Sequence, residues 1–245
     1  MSLITIVIPT LNEAENIDLL LKKIINTRQS SHLDFDILFV DSASTDETCD
    51  RVLEWQDKAP VRLLQHDCNI GLAGAVIAGA KYTESRYIVV MDADLSHPPE
   101  VIPQLIQPLL DETHDMVIGS RYIEGGSVPD WPFLRKLSSK IATLPALLFC
   151  EVKDPLAGFF AVERRKLLDL PGSVPGFKIG FAILAEFGKD IRVTEIPITF
   201  RDRDYGESKM NYWVVFDYLR QLNNLAFNRM SNLCSNTKCR KSRKD

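Results

Sequence analysis

Apolar, β-branched runs alternate with amphipathic stretches along the first half of this chain. Residues 3–8 form one run, ending in Pro9-Thr10-Leu11-Asn12-Glu13, and residues 35–40 a second, ending in Asp41-Ser42-Ala43-Ser44-Thr45-Asp46. Shorter runs follow at 61–65, 87–91 and 115–118. Between the first two, residues 14–25 carry Ile17, Leu20, Leu21 and Ile24 at helical spacing. Residues 46–56 begin with acids behind Ser44 or Thr45, a good N-cap for a second helix. A small-residue helix is expected from Asn69 to about Thr83, and another over 99–110. Strand runs that are apolar throughout belong in a sheet covered on both faces. The pattern therefore predicts an α/β fold, a mostly parallel sheet flanked by helices with right-handed crossovers. Ligands of such sheets sit beyond the carboxyl ends of the strands, where Thr10, Asp41, Asp67 and Asp92 fall.

The second half is less regular. Residues 131–149 read as one long helix bearing Arg135, Lys136 and Lys140, and 154–162 as a strand or turn in which Gly158 allows close backbone approach. Residues 176–188 read as a buried helix, and 191–200 as an edge strand because of Pro197. One domain over 1–210 is expected, followed by an amphipathic helix at 211–230 and a basic, disordered tail at 231–245.

Composition narrows the partners. The chain has 245 residues, 45% of them hydrophobic, enough for one α/β domain with a proper core. A net charge of −4 argues against general nucleic-acid binding. Five cysteines without a C-x-x-C pair point to reduced thiols in a cytosolic compartment. No basic leader precedes the first strand, so no signal peptide is expected. The longest apolar stretch, 141–150, is about half the ~20 residues of a spanning helix and holds Pro145.

Candidate chemistry centres on Tyr87-Ile-Val-Val-Met-Asp-Ala-Asp-Leu-Ser-His-Pro-Pro99. On extended backbone Asp92 and Asp94 point the same way, and two such carboxylates suit a divalent ion shared with a substrate phosphate. The ordinary alternative makes Asp94 a helix cap and leaves Asp92 exposed at a strand end. His97 is either a further ligand or an exposed residue at a helix start. Gly71-x-x-Gly74 lacks the rest of a dinucleotide fingerprint, so these glycines and the neighbouring alanines are expected to let a helix pack closely on the sheet. Arg121 follows a strand end, and Arg135 and Ser139 share a helix face at i, i+4, a pairing suited to a phosphate. Arg203 and Lys209 lie in a polar loop able to close on a polyanion. Each of these is also consistent with simple solvated charge.

In order along the chain stand Ile8-Pro-Thr-Leu-Asn-Glu13, Val40-Asp-Ser-Ala-Ser-Thr-Asp46, Val90-Met-Asp-Ala-Asp-Leu-Ser-His-Pro-Pro-Glu100 and Gly119-Ser-Arg-Tyr122. They are followed by Trp131-x-x-x-Arg-Lys, Asp154-Pro-Leu-Ala-Gly-Phe-Phe160 and Arg203-Asp-Tyr-Gly-Glu-Ser-Lys209. With these blocks the chain resembles family 2 inverting glycosyltransferases of GT-A fold, in particular the polyprenyl/dolichyl-phosphate mannose synthase group. The resemblance implies that Pro9, Thr10, Glu13, Asp41, Gly71 and Ala93 line the nucleotide sugar. It implies Mg²⁺ or Mn²⁺ on Asp92, Asp94 and Ser96, and an acceptor phosphate on Arg121, Arg135 and Ser139. Arg203 and Lys209 would close on the donor. Asp92, Asp94, Arg121, Arg135 and Arg203 would thus carry the catalysis. The chain departs from the family at Leu11, where Tyr is usual, at Ser42, where a second Asp is usual, and at Ser96, where some members have Gln.

The implied reaction moves mannose from GDP-mannose to a polyprenyl phosphate. Alternatives are UDP-glucose or another nucleotide sugar as donor, or a non-catalytic nucleotide- or lipid-binding module. Residues 212–230 either pack on the domain or form an interfacial helix, aided by Lys238, Arg240, Lys241, Arg243 and Lys244 against anionic headgroups. The expected setting is the cytoplasmic face of a membrane, peripherally bound or held by a membrane-anchored partner subunit.

Overall fold

The computed structural model describes residues 2–148, 150–171 and 178–202. Arg203, Lys209, the helix expected at 211–230 and the tail at 231–245 lie outside the described residues. The first half follows the hydrophobic pattern closely. Strand β1 is Ile4–Thr10, α1 Ala14–Ser31, β2 Asp36–Ser42, α2 Thr48–Leu53, β3 Val61–His66, α3 Gly71–Tyr82 and β4 Tyr87–Val90. Then come α4 Ile102–Leu110, β5 Met116–Ser120, α5 Phe133–Thr143, β6 Phe160–Glu163, α6 Arg164–Leu168, α7 Ile179–Phe187 and β7 Val193–Pro197.

Seven strands form one sheet in the order β3-β2-β1-β4-β6-β5-β7. All pairings are parallel except those of β6, which runs antiparallel to both β4 and β5. β7 is an edge strand, as Pro197 suggested. Alternation along β1 divides the core. Ile4, Ile6 and Ile8 meet Ile17, Leu20, Leu21 and Ile24 of α1 on one face, while Val7 joins Val76 and Ala80 of α3 on the other.

Three element expectations need correction. The helix expected at 46–56 is only α2, and neither Ser44 nor Thr45 caps it. Asn12 claims both, its N–H donating to Ser44 Oγ (2.8 Å) and its Oδ1 accepting from the Thr45 N–H (2.8 Å). Asp46 Oδ1 accepts the Thr48 N–H instead, at 3.0 Å. The long helix expected at 131–149 is cut to α5, with Pro132 before it and Pro145 just beyond it; a short 3₁₀ turn, Ala146–Leu148, follows. Finally, Gly71 and Gly74 are not the close-packing glycines of α3. That role belongs to Gly79, where a Cβ would stand 2.7 Å from Val7 Cγ1. Gly71 instead opens the helix at a φ of +69°, its N–H held by Asn69 Oδ1 at 2.9 Å.

Candidate active site

The carboxyl ends of β1 and β2 are stitched together by short polar side chains. Asp41, fully buried, accepts the Ser44 N–H on Oδ1 at 2.9 Å and hydroxyls of Thr10 (3.1 Å) and Ser44 (2.5 Å) on Oδ2. The Glu13 N–H donates to Thr48 Oγ1 at 2.8 Å, and the Ala14 N–H to Asp46 Oδ2 at 3.2 Å. Of the residues expected to line a nucleotide, Pro9 and Glu13 are half-buried and reach the surface. Asp41 and Thr10 are buried, so they hold the rim in shape from below rather than face it. Burial, then the Asp41 carboxylate, pushes the Cys49 thiol up to about 12.

β4 stops at Val90, and the chain then turns with Leu95 at a φ of +63°. Asp92 and Asp94 therefore do not share one extended face. Asp92 keeps 31% of its side chain exposed, whereas Asp94 is buried and accepts the Ser96 N–H (3.1 Å) and Ser96 hydroxyl (2.6 Å) on Oδ1. The capping alternative for Asp94 also fails, since the helical segment after it, beginning with the 3₁₀ turn Pro99–Val101, has no side-chain cap. Ser96 is buried and gives its hydroxyl hydrogen to Asp94, which still leaves lone pairs on its oxygen, and the Ala93 methyl packs in the core.

His97 is not the exposed helix-start residue that the sequence allowed. It is buried, stacked on Phe159 (centroids 5.0 Å apart, 11° between planes) and edge-on to Phe200 at 5.7 Å. Its Nδ1 accepts the Asp92 N–H at 3.0 Å, so the ring proton sits on Nε2, 3.8 Å from Asp92 Oδ2. Burial holds the ring neutral by lowering its pKa, against the pull of Asp92 and Asp94. Gly158 explains how the segment leading into β6 can approach here: a Cβ there would stand 3.3 Å from His97 Cε1 and 3.6 Å from Asp92 Oδ2.

Does this corner fit a metal ion? Among the described residues no three His, Cys, Asp or Glu converge as a self-sufficient metal cage. One presented carboxylate, Asp92, backed by the hydrogen-bonded Asp94, is a hard oxygen set that suits Mg²⁺ or Mn²⁺ completed by phosphate oxygens and water. The residues fit such a shared ion and not a stand-alone site.

Across from it, Arg121 leaves β5. Its Nε and Nη2 donate to Asp154 Oδ2 (2.8 Å) and Oδ1 (2.7 Å), and its backbone N–H adds a third bond at 3.0 Å. Glu195 of β7 fixes Asp154 in turn, accepting the N–H groups of Lys153 (2.8 Å) and Asp154 (3.0 Å). Arg135 on α5 donates to Asp202 Oδ1 at 2.8 Å. Both guanidiniums lie against the Trp131 ring, Arg121 at 5.5 Å and Arg135 at 4.3 Å. Ser139 Oγ, one turn along α5 from Arg135, accepts the Tyr122 hydroxyl at 2.7 Å. The structure thus brings Arg121, Arg135 and Ser139 together, through Trp131 and Tyr122.

Several site residues had escaped the sequence reading. Asp154 stood in a block read only for its glycine and phenylalanines. Lys178, just before α7, lies in the field of Asp92, Asp154, His97 and Arg121. Desolvation, then Arg121, pulls its ammonium below the ordinary lysine value while Asp92 and Asp154 oppose. Its only sequence signal was a cation at the mouth of an apolar helix.

Beside the arginines, α5 turns a greasy face outward. Phe133, Leu134, Leu137, Ile141 and Leu144 are between 45% and 76% exposed, with Lys136 and Lys140 among them. A cavity of about 590 Å³ opens next to it, lined by Tyr122, Lys140, Leu144, Leu147, Val152 and Lys153 among others. No helix among the described residues is long and apolar enough to cross a membrane.

Comparison with known proteins places this architecture. Solved structures of glucosyl-3-phosphoglycerate synthase from Mycobacterium tuberculosis share the GT-A fold at 20–22% identity. One holds Mn²⁺, UDP and glucosyl-3-phosphoglycerate (TM-score 0.65, 93% of this chain and 80% of that one). Another holds Mg²⁺ and UDP (TM-score 0.63, 93% and 79%). Closer in sequence is the dolichol-phosphate mannosyltransferase of Pyrococcus furiosus, 41% identical over 223 residues, 89% of this chain. The chain spans 62% of the length of that relative. The Saccharomyces cerevisiae protein of the same name is 36% identical over 78% of this chain and 74% of its own length. Residues 5–170 match the family model described as glycosyl transferase family 2, and the chain belongs to that family.

Proposed function

We propose that this chain transfers mannose from GDP-mannose to a polyprenyl phosphate of the dolichyl type, with inversion. The observation that carries the reading is the opposition of two clusters at the carboxyl edge of one sheet. The Asp92–Asp94 corner suits a nucleotide diphosphate with its cation, and the Arg121–Arg135–Ser139 corner suits a second phosphate. The names of the 41% and 36% identical relatives support a polyprenyl-phosphate acceptor and mannose.

The chemistry needs no protein base. A phosphate monoester has a second pKa of about 6, so at pH 7 the acceptor is largely dianionic. One of its oxygens forms the bond to the anomeric carbon as the bond from that carbon to the diphosphate breaks on the opposite face. The nucleoside diphosphate leaves with the electron pair. Mg²⁺ or Mn²⁺ on Asp92 and Asp94 would neutralise charge on the leaving diphosphate. Arg121 is rigid and buried, so it offers preorganised positive charge without reorganisation. Asp154 is committed to Arg121, and His97 keeps its proton on the side of Asp92, so neither is placed to take a proton. Arg203 and Lys209 complete the donor side in this reading.

The apolar face of α5, with Lys136 and Lys140 beside it, supports contact with a lipid surface at the cytoplasmic face of a membrane. The adjoining cavity suits the first isoprene units of an acceptor whose phosphate reaches Ser139 and Arg135. A membrane-anchored partner subunit would serve the same end.

Donor identity is tested by offering labelled GDP-mannose and UDP-glucose side by side with a polyprenyl phosphate in detergent. Mannolipid alone is the expected product. Glucolipid alone would keep the mechanism and replace the donor; neither product, with nucleotide still bound, would favour a binding module.

A further inference from the structure

The two arginines of the acceptor corner are held in opposite ways. Arg121 makes a two-pronged pair with Asp154, their side chains 12% and 0% exposed. Arg135 makes one contact with Asp202 through Nη1, their side chains 39% and 40% exposed. A single oxygen, Asp202 Oδ1, takes both that N–H and the Trp131 Nε1–H at 3.0 Å. The first pair is built to stay; the second is built to exchange. Exposed one-contact pairs bias an equilibrium by a factor of about five at most, whereas charge-assisted bonds from a guanidinium to a phosphate are among the stronger ones available.

We propose that Asp202 is an internal stand-in for the acceptor phosphate. It occupies Arg135 while the site is empty, gives way to the dianionic acceptor, and returns as the product leaves. The proposal rests on Arg135 being an acceptor ligand.

Three features make the exchange inexpensive. Arg135 stays seated on the Trp131 ring at 4.3 Å when the carboxylate departs, so the guanidinium need not be rebuilt. Ser139 already accepts from Tyr122, leaving its own hydroxyl hydrogen to donate to a phosphate oxygen. The Asp202 N–H reaches Asp130 Oδ2 at 3.4 Å, so a second acid stands beside the first.

The reaction supplies the return stroke. The acceptor enters as a monoester with two charges and leaves as a diester with one, because the oxygen that attacked now carries the sugar. The product therefore competes less well for Arg135, and Asp202 reclaims it. An internal competitor lowers the affinity of every anion at that site by the same factor. Its benefit is turnover: the lipid product is not retained.

The test measures binding of a short-chain polyprenyl phosphate to the full chain by titration, for wild type, D202N, D202A and R135Q, with product inhibition alongside. D202N and D202A are expected to bind the acceptor about three- to fivefold more tightly. Product inhibition strengthens by a similar factor, and kcat falls although KM falls too. In wild type, the acceptor is expected to shift the emission of Trp131, identified by its loss in W131F, and this shift shrinks in D202N. R135Q should weaken acceptor binding. Unchanged or weaker acceptor binding in both Asp202 variants, with R135Q weakened, overturns the stand-in but leaves the acceptor site intact. If R135Q binds like wild type, the acceptor assignment itself falls, and the stand-in with it.

Discussion

Arg121 and Asp154 lie 33 residues apart in sequence yet form a two-pronged ion pair, 2.7 and 2.8 Å, closed off from solvent. The pair joins the end of β5 to the loop that leads into β6, and Glu195 of β7 locks that loop from the sheet edge. A buried arginine is tolerated here because its counter-charge is supplied with good geometry.

Removing the counter-charge exposes that dependence. Asp154→Asn keeps the shape and leaves Arg121 uncompensated, at a cost of about 3–5 kcal/mol in unfolding free energy. Denaturant melts of the two proteins read this directly. A loss under about 1 kcal/mol would mean that Arg121 finds another partner.

Gly158, just before β6, is where that segment passes His97 and Asp92. Gly158→Ala forces a methyl to 3.3 Å from His97 Cε1 and 3.6 Å from Asp92 Oδ2. The expected result is a normal melting curve with several-fold weaker Mn²⁺ dependence of turnover, because Asp92 is moved and the core is not. Equal Mn²⁺ half-saturation in both proteins would contradict this geometry.

Cys49 sits against Asp41, and its thiol is raised from 9.0 to about 12. At pH 8 it should resist alkylation while exposed Cys68 reacts quickly, which peptide mapping after brief iodoacetamide treatment would show. The sign of the linked stability follows. Above pH 9.0 only the unfolded chain releases this proton, so the contribution is intact below that value and is lost as pH rises toward 12.

The α5 face makes a separable prediction. Leu137→Glu and Ile141→Glu change side chains that are 45% and 55% exposed, so the fold should be unaffected. Sedimentation with anionic liposomes should fall several-fold, while turnover on a short, soluble acceptor persists. Unchanged sedimentation would remove α5 from the membrane contact.

The strands and the flanking helices were legible because buried parallel strands are largely apolar, a pattern that β1, β2 and β4 obey, while β3 at the sheet edge is only half-buried. Asp92 was legible for the same reason, as a charge placed where such a run ends. What sequence spacing could not convey was direction. Extended backbone was assumed through Asp94, but β4 ends at Val90 and the positive φ of Leu95 folds Ser96 back onto the buried Asp94. His97 looked exposed because it precedes two prolines, yet Phe159, from the distant segment just before β6, provides a ring that stacks on it. Asp154, Glu195 and Asp202 act across the sheet on residues far away in sequence, and no local pattern announces such pairs. α5 was overextended because an apolar run hid the stop at Pro145.

Chelator-sensitive transfer of labelled mannose from GDP-mannose to a polyprenyl phosphate, in wild type and in D92N, bears most directly on the whole account. The account predicts mannolipid formation that EDTA abolishes and Mn²⁺ restores, and a loss of at least about 100-fold in D92N with nucleotide binding retained in part. Transfer that proceeds equally in EDTA, or at wild-type rate in D92N, would contradict it.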